Sequence, residues 1–274
     1  KSQILPPPCG YQLSFDLNPQ PQAIRSTRQR KQSALSLVPP LPDLHQTEAF
    51  LNALWPDTSD GELFAIGQMV KYSGRNEKNY TGRLVDNIDQ VKQYVKEWSG
   101  KRDLYLHPVT MRKAEIGKKN RGTEKAADTC YSFNADIDVA DKGTKNYPTK
   151  DEVNNFFQTC RFKPSAIIES GSGGFHAYWF LSEPTPASEV KQILPRFIQH
   201  IAYRLNREID QRGSVTDLMR IPGSIHHGYK RLVRMTDFDP SRRYCTTEIK
   251  DYLDTIPAEA FSKPVVPSMK TTSV

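Results

Sequence analysis

The chain holds 274 residues, 37% hydrophobic and 25% charged, with a formal charge of +7 at pH 7, the balance of a soluble globular protein of one large or two small domains. No run approaches the roughly 18 apolar residues of a bilayer span, and no apolar signal segment opens the chain. Membrane and secretory classes are therefore disfavoured, and a cytoplasmic, reducing setting is expected. Cys9, Cys130, Cys160 and Cys245 lie far apart with no CxxC pair, which points away from a zinc knuckle or a disulfide framework.

Residues 1–42 carry Lys1, Arg25, Arg28, Arg30 and Lys31 against Asp16 alone, and eight of the twenty prolines. Such a segment is read as an extended basic arm, either gripping phosphate or simply solvated. The chain opens on Lys1 rather than Met, as a fragment of something longer would, and residues 261–274 read as a flexible tail.

Residues 43–260 read as one mixed domain. A short helix is expected over 47–54, a strand over 63–70, an amphipathic helix over Ile88–Trp98 and a strand over 104–111. A basic loop, 112–125, leads to a strand over 131–139. Thr149 and Glu152 have the spacing of a capping box, opening a helix through Phe157. Ala166–Glu169 and 175–181 follow as strands joined by SGSGG. The apolar set Val190, Ile193, Leu194, Phe197, Ile198, Ile201 and Leu205 recurs at three and four, the period of a long helix, with Pro186 at its start and Pro195 as a kink site. A loop over 211–223, a strand over 232–235 and a helix over 248–253 complete the order.

Three places could carry chemistry. In NADIDV, Asp136 and Asp138 stand two apart near a strand end, so both carboxylates leave one face while Ile137 and Val139 face the core. Hard oxygen ligands at that spacing suit Mg²⁺ or Mn²⁺ with positions left for phosphate oxygens; a turn or an exposed edge would show the same pattern. Beyond Asp138, Ser170, Gly171, Ser172, Gly173 and Gly174 can turn backbone N–H groups onto an anion, with His176, 38 residues after Asp138, beside them. A plain hairpin with a buried histidine fits equally. Asp217 lies among Arg220, Lys230, Arg231 and Arg234, as a third metal ligand beside phosphate-binding cations or as a salt-bridge partner. His226 and His227 are adjacent and face opposite ways, a poor chelate. No GxxxxGK[ST] motif occurs, so a P-loop engine is not indicated. Tyr178 and Trp179 are candidates to stack bases, although aromatics on strands are more often core.

Taken in order, the DxD strand, the SGSGGFH turn and the aspartate of TDLMRIPGS resemble the three motifs of the archaeo-eukaryotic primase superfamily, closest to its plasmid, phage and CRISPR-associated primase-polymerases. LYLHPV and the basic loop before the first motif fit the same pattern. The resemblance covers roughly residues 43–260. It implies an α+β fold: an RRM-like catalytic core with a small α/β N-terminal unit, mixed or antiparallel sheets flanked by helices.

It also implies Asp136, Asp138 and Asp217 as catalytic ligands of two Mg²⁺ or Mn²⁺ ions. Ser170, Ser172, Gly173, His176, Arg220 and Lys230 become contacts to a nucleoside triphosphate. No zinc is implied. The expected activity is template-directed nucleotidyl transfer, with a single-stranded DNA template, a primer and nucleotides as partners, and a helicase or a replication or CRISPR module as a further one. A metal-dependent nuclease and a non-catalytic nucleic-acid-binding initiator module are the competing readings. The chain has Asp-x-Asp where relatives often have Asp-x-Glu; either pair can ligate metal.

Overall fold

The computed structural model describes residues 40–56, 61–71, 78–113, 122–140, 146–209 and 213–261. The expected arm, all but its last residues, most of the basic loop and nearly all of the expected tail lie outside these. The described order is α1 (Leu44–Leu54), β1 (Glu62–Lys71), β2 (Lys78–Val85), α2 (Ile88–Trp98), β3 (Asp103–Arg112), β4 (Ala127–Ile137), α3 (Lys150–Thr159), β5 (Ala166–Glu169), β6 (Phe175–Pro186), α4 (Ala187–Leu205), β7 (Met219–Arg220), β8 (Ile225–His226), β9 (Arg231–Leu232), β10 (Arg234–Phe238), β11 (Arg243–Tyr244) and α5 (Thr246–Asp254).

One sheet organises the chain, in the order β10-β5-β6-β4-β3-β1-β2, all neighbours antiparallel. The expectation of an α+β fold with a mainly antiparallel sheet holds. Alternation along β4 and β6 sends successive side chains to opposite faces. Phe133, Ala135, Ile137, Phe175, Ala177 and Trp179 enter the core covered by α3, α4 and α5. Tyr131, Tyr178 and Phe180 enter the core covered by α1 and α2. Tyr178 and Trp179 are both fully buried, which removes them as stacking platforms: each ring fills space between sheet and helix.

Helix ends follow local chemistry. Asp43 caps α1 by accepting N–H from His45 and Gln46, Asn87 caps α2, and the Thr149–Glu152 box closes reciprocally at the start of α3. Pro195 lies inside α4 without ending it, and Asn206 at φ 51° terminates that helix in the left-handed conformation.

The site depends on a split in the sheet. β3 pairs with β4 through Val109 and Met111, toward its C-terminal end, but gives Tyr105 and Leu106, near its start, to β7. The two-residue β7 thereby carries Arg220 in beside the C-terminal end of β4.

Candidate functional site

Asp136 on β4 stands directly across from His176 on β6 in the ladder. Their side chains share one face, and His176 Nε2 lies 3.4 Å from Asp136 Oδ1. The imidazole is 3% exposed. Its Nδ1 accepts the backbone N–H of Arg220 at 3.1 Å, so in the neutral ring the proton belongs on Nε2, facing Asp136. Burial, reinforced by the Arg220 charge and only partly opposed by Asp138, pushes the His176 pKa down to about 3. The ring is a neutral donor held between a carboxylate and a strand. It is closed to solvent, so the phosphate contact expected of His176 is not open in this arrangement; the imidazole reaches the aspartate instead.

Asp138 follows the end of β4 and is exposed. Gly174 packs under it so closely that a β-carbon there would come within 2.9 Å of Ile137 O and 3.3 Å of Asp138 Oδ1. The glycine turn and the two aspartates are thus built as one unit. Ser170 is buried; its N–H and hydroxyl both donate to Gly174 O, and its Oγ meets Ser172 Oγ at 2.8 Å. These serines close the turn. Gly171 and Gly173 hold φ of 77° and 117°, conformations that L side chains rarely adopt.

Asp217 lies two residues before β7. Its Oδ2 accepts the N–H of Ser214 at 3.0 Å, and its own N–H returns to Ser214 O, closing a local turn. Among the described residues no group of three or more His, Cys, Asp and Glu side chains is arranged to hold a metal ion. Asp136 lies on β4 and Asp138 just beyond its end.

Arg220 is likewise committed. Its Nη1 donates to Asp103 Oδ1 at 2.8 Å and its guanidinium lies 4.9 Å from the centre of the Tyr105 ring. Asp103 also accepts the N–H of His227 at 2.8 Å. Burial would raise the Asp103 pKa, but the Arg220 charge and the His227 N–H together hold it below the usual carboxylate value. Arg220 serves the site through its backbone N–H, and Asp103 was not singled out from the sequence because nothing in its local pattern distinguishes it from any strand-opening aspartate.

The cations gather on the other flank of the turn. Lys150, Lys230, Arg231 and Arg234 line a cavity of about 460 Å³ together with Gly171, Gly173, Leu232, Pro40 and Glu169. Glu169 pairs with Arg234 at 3.0 Å and with Lys150 at 3.6 Å. Lys230 has the left-handed φ of 52°, and its Nζ donates to Gly100 O. Lys150, at the start of α3, joins this set only through the fold. A sheet-borne aspartate pair, a glycine turn and a cation-lined cavity form one continuous surface suited to a polyanion.

No protein-family model and no curated protein matches the chain. Solved structures do. The primase-polymerase domain of cyanophage S-2L superposes with a TM-score of 0.57 at 12% identity, covering 78% of this chain and 100% of that domain. The fold is that of a primase-polymerase catalytic domain. The catalytic domain of primase RepB′ in complex with initiator DNA also matches, at TM-score 0.48 and 12% identity over 77% of this chain and 92% of that one. A second RepB′ structure gives the same score and identity over 61% of its length. Among the described residues no helix is long and apolar enough to cross a membrane.

Proposed function

We propose that the chain is a DNA primase-polymerase, catalysing divalent-metal-dependent, template-directed nucleotidyl transfer on single-stranded DNA. The observation that carries this reading is the continuity of the Asp136–His176 pair, the glycine turn and the cationic cavity on a primase-polymerase fold. Asp136 and Asp138 fit Mg²⁺ or Mn²⁺, which need only one or two carboxylates when substrate phosphates complete the shell. The ion would supply charge neutralisation and a lower pKa for the attacking hydroxyl.

The chain's own groups do the rest. His176 aims Nε2–H at Asp136 and fixes the carboxylate rotamer. Lys150, Lys230 and Arg234 take up the negative charge of a triphosphate whose terminal groups enter the cavity, and the glycines of the turn let phosphate approach the backbone. The primer 3′-hydroxyl gives its proton to solvent water and its oxygen bonds to the α-phosphorus while the bond from that phosphorus to the bridging oxygen breaks, and pyrophosphate leaves toward the cations.

The test is incorporation of nucleotides on a primed single-stranded template with Mg²⁺ or Mn²⁺. Template-dependent product that disappears in Asp136→Ala supports the reading; its absence from the wild type, or its persistence in Asp136→Ala, refutes it. A non-catalytic DNA-binding module would instead bind template indifferently to both chelation and Asp136→Ala.

A further inference from the structure

β8 and β9 form a hairpin, with Ile225 opposite Leu232 and His226 opposite Arg231, so residues 227–230 are its tip. Tyr229 sits there 57% exposed. Leu41 and Tyr203 are the other large hydrophobic side chains so exposed among the described residues; neither lies in such a built tip.

The tip is fixed on every side. The N–H groups of Gly228 and Tyr229 donate to His226 Nδ1, and that of Lys230 donates to His226 O. His227 N–H is held by Asp103 and the Lys230 ammonium by Gly100 O. The Tyr229 ring rests edge-on against the His226 ring, with centroids 4.9 Å apart. A pinned aromatic loses little rotamer freedom when something stacks on it. Beside it in the chain are Lys230 and Arg231, which with Lys150 and Arg234 line the cavity. The acid of that wall, Glu169, is already paired. An exposed flat ring next to a cationic track matches the chemistry of a strand of unpaired bases on a phosphate backbone.

We infer that Tyr229 is a stacking platform for a base of single-stranded nucleic acid, one of whose phosphates lies at Arg231. The inference rests on the polymerase reading for its biological sense but is tested separately. Fluorescence anisotropy with a labelled single-stranded oligonucleotide would compare the wild type with Tyr229→Ala, Tyr229→Phe, Tyr229→Trp and Arg231→Ala, each checked for unchanged melting.

Tyr229→Ala should weaken binding by about 5- to 150-fold with the salt dependence intact. Phe and Trp should bind within about threefold of wild type, and Arg231→Ala should lower the salt slope by roughly 0.7. A 2-aminopurine base placed at the contact should be quenched by the wild type and not by Tyr229→Ala. Wild-type affinity in Tyr229→Ala, failure of Phe and Trp to rescue, or displacement of the strand from the tyrosine by mononucleotide alone would overturn the inference. If the wild type incorporates nucleotides while Tyr229→Ala binds normally, only this inference falls. If Tyr229 behaves as stated but nothing is polymerised, only the polymerase reading falls.

Discussion

Removing the Asp103 carboxylate should unsettle both halves of the site, and the cost follows from what it holds. Asp103 and Arg220 side chains are 15% and 12% exposed, so Asp103→Ala leaves a guanidinium mostly out of water without its counter-charge. Breaking one side of a buried ion pair costs about 3–5 kcal/mol, and the partial exposure puts this pair near the lower end. The lost acceptor for His227 N–H adds about 1 kcal/mol.

Against a typical stability of about 5–15 kcal/mol, Asp103→Ala should still fold in the cold but melt early. Replacing both partners, as Asp103→Leu with Arg220→Met, should recover much of the loss, because no orphaned charge remains. Urea denaturation of the wild type, Asp103→Leu, Arg220→Met and the double variant gives the coupling energy. A coupling of about 2 kcal/mol or more is expected. Single-variant costs under about 1 kcal/mol that simply add would refute the argument. The depressed Asp103 pKa sets the acid side: its contribution is whole above the usual aspartate range and fades as pH falls through the lowered folded value.

Gly174→Ala should be tolerated by the backbone but not by the space beneath Asp138, where the added methyl meets Ile137 O at 2.9 Å. We expect a loss of about 1–3 kcal/mol on thermal denaturation, and a larger proportional loss of nucleotide incorporation than melting alone explains. His200, buried against Tyr252 on α4, has its pKa lowered to about 4, first by burial and then by Arg204. The unfolded chain therefore takes up that proton first as pH falls. Stability should be full above about pH 6.5 and decline by up to about 1.4 kcal/mol per pH unit down toward pH 4. His200→Phe should flatten the measured slope by that amount, and an unchanged slope would show that His200 is not a buried neutral group.

Much of the fold was legible because long elements carry period and punctuation. Ile88–Trp98 and Ala166–Glu169 have the bounds read from sequence, and the Thr149–Glu152 box marks the start of α3. β2 was missed: it is an edge strand of mixed polar sequence, and Gly67 meets Gly82 where the Tyr80 ring closes over the sheet, so no apolar alternation announces it. β7, β8, β9 and β11 have two residues each, too few for any period; of these only Leu232 of β9 fell within an expected strand, 232–235, whose last two residues begin β10.

The site divided the same way. The facing of Asp136 and His176 follows from strand alternation once β4 and β6 pair. The position of Asp217, the burial of His176 and the commitment of Arg220 to Asp103 depend on where β7 enters the sheet, a tertiary fact without a local signal. The glycine turn was visible as glycines, but its cationic flank needed α3 and the β8–β9 hairpin brought together.

The most direct test is anomalous diffraction from crystals soaked with Mn²⁺ and a non-hydrolysable nucleoside triphosphate. The account predicts a manganese peak about 2.1 Å from carboxylate oxygens of Asp136 and Asp138, with phosphates among Lys150, Lys230 and Arg234. Manganese bound elsewhere, or a cavity that excludes the triphosphate while those aspartates remain bare, would contradict it.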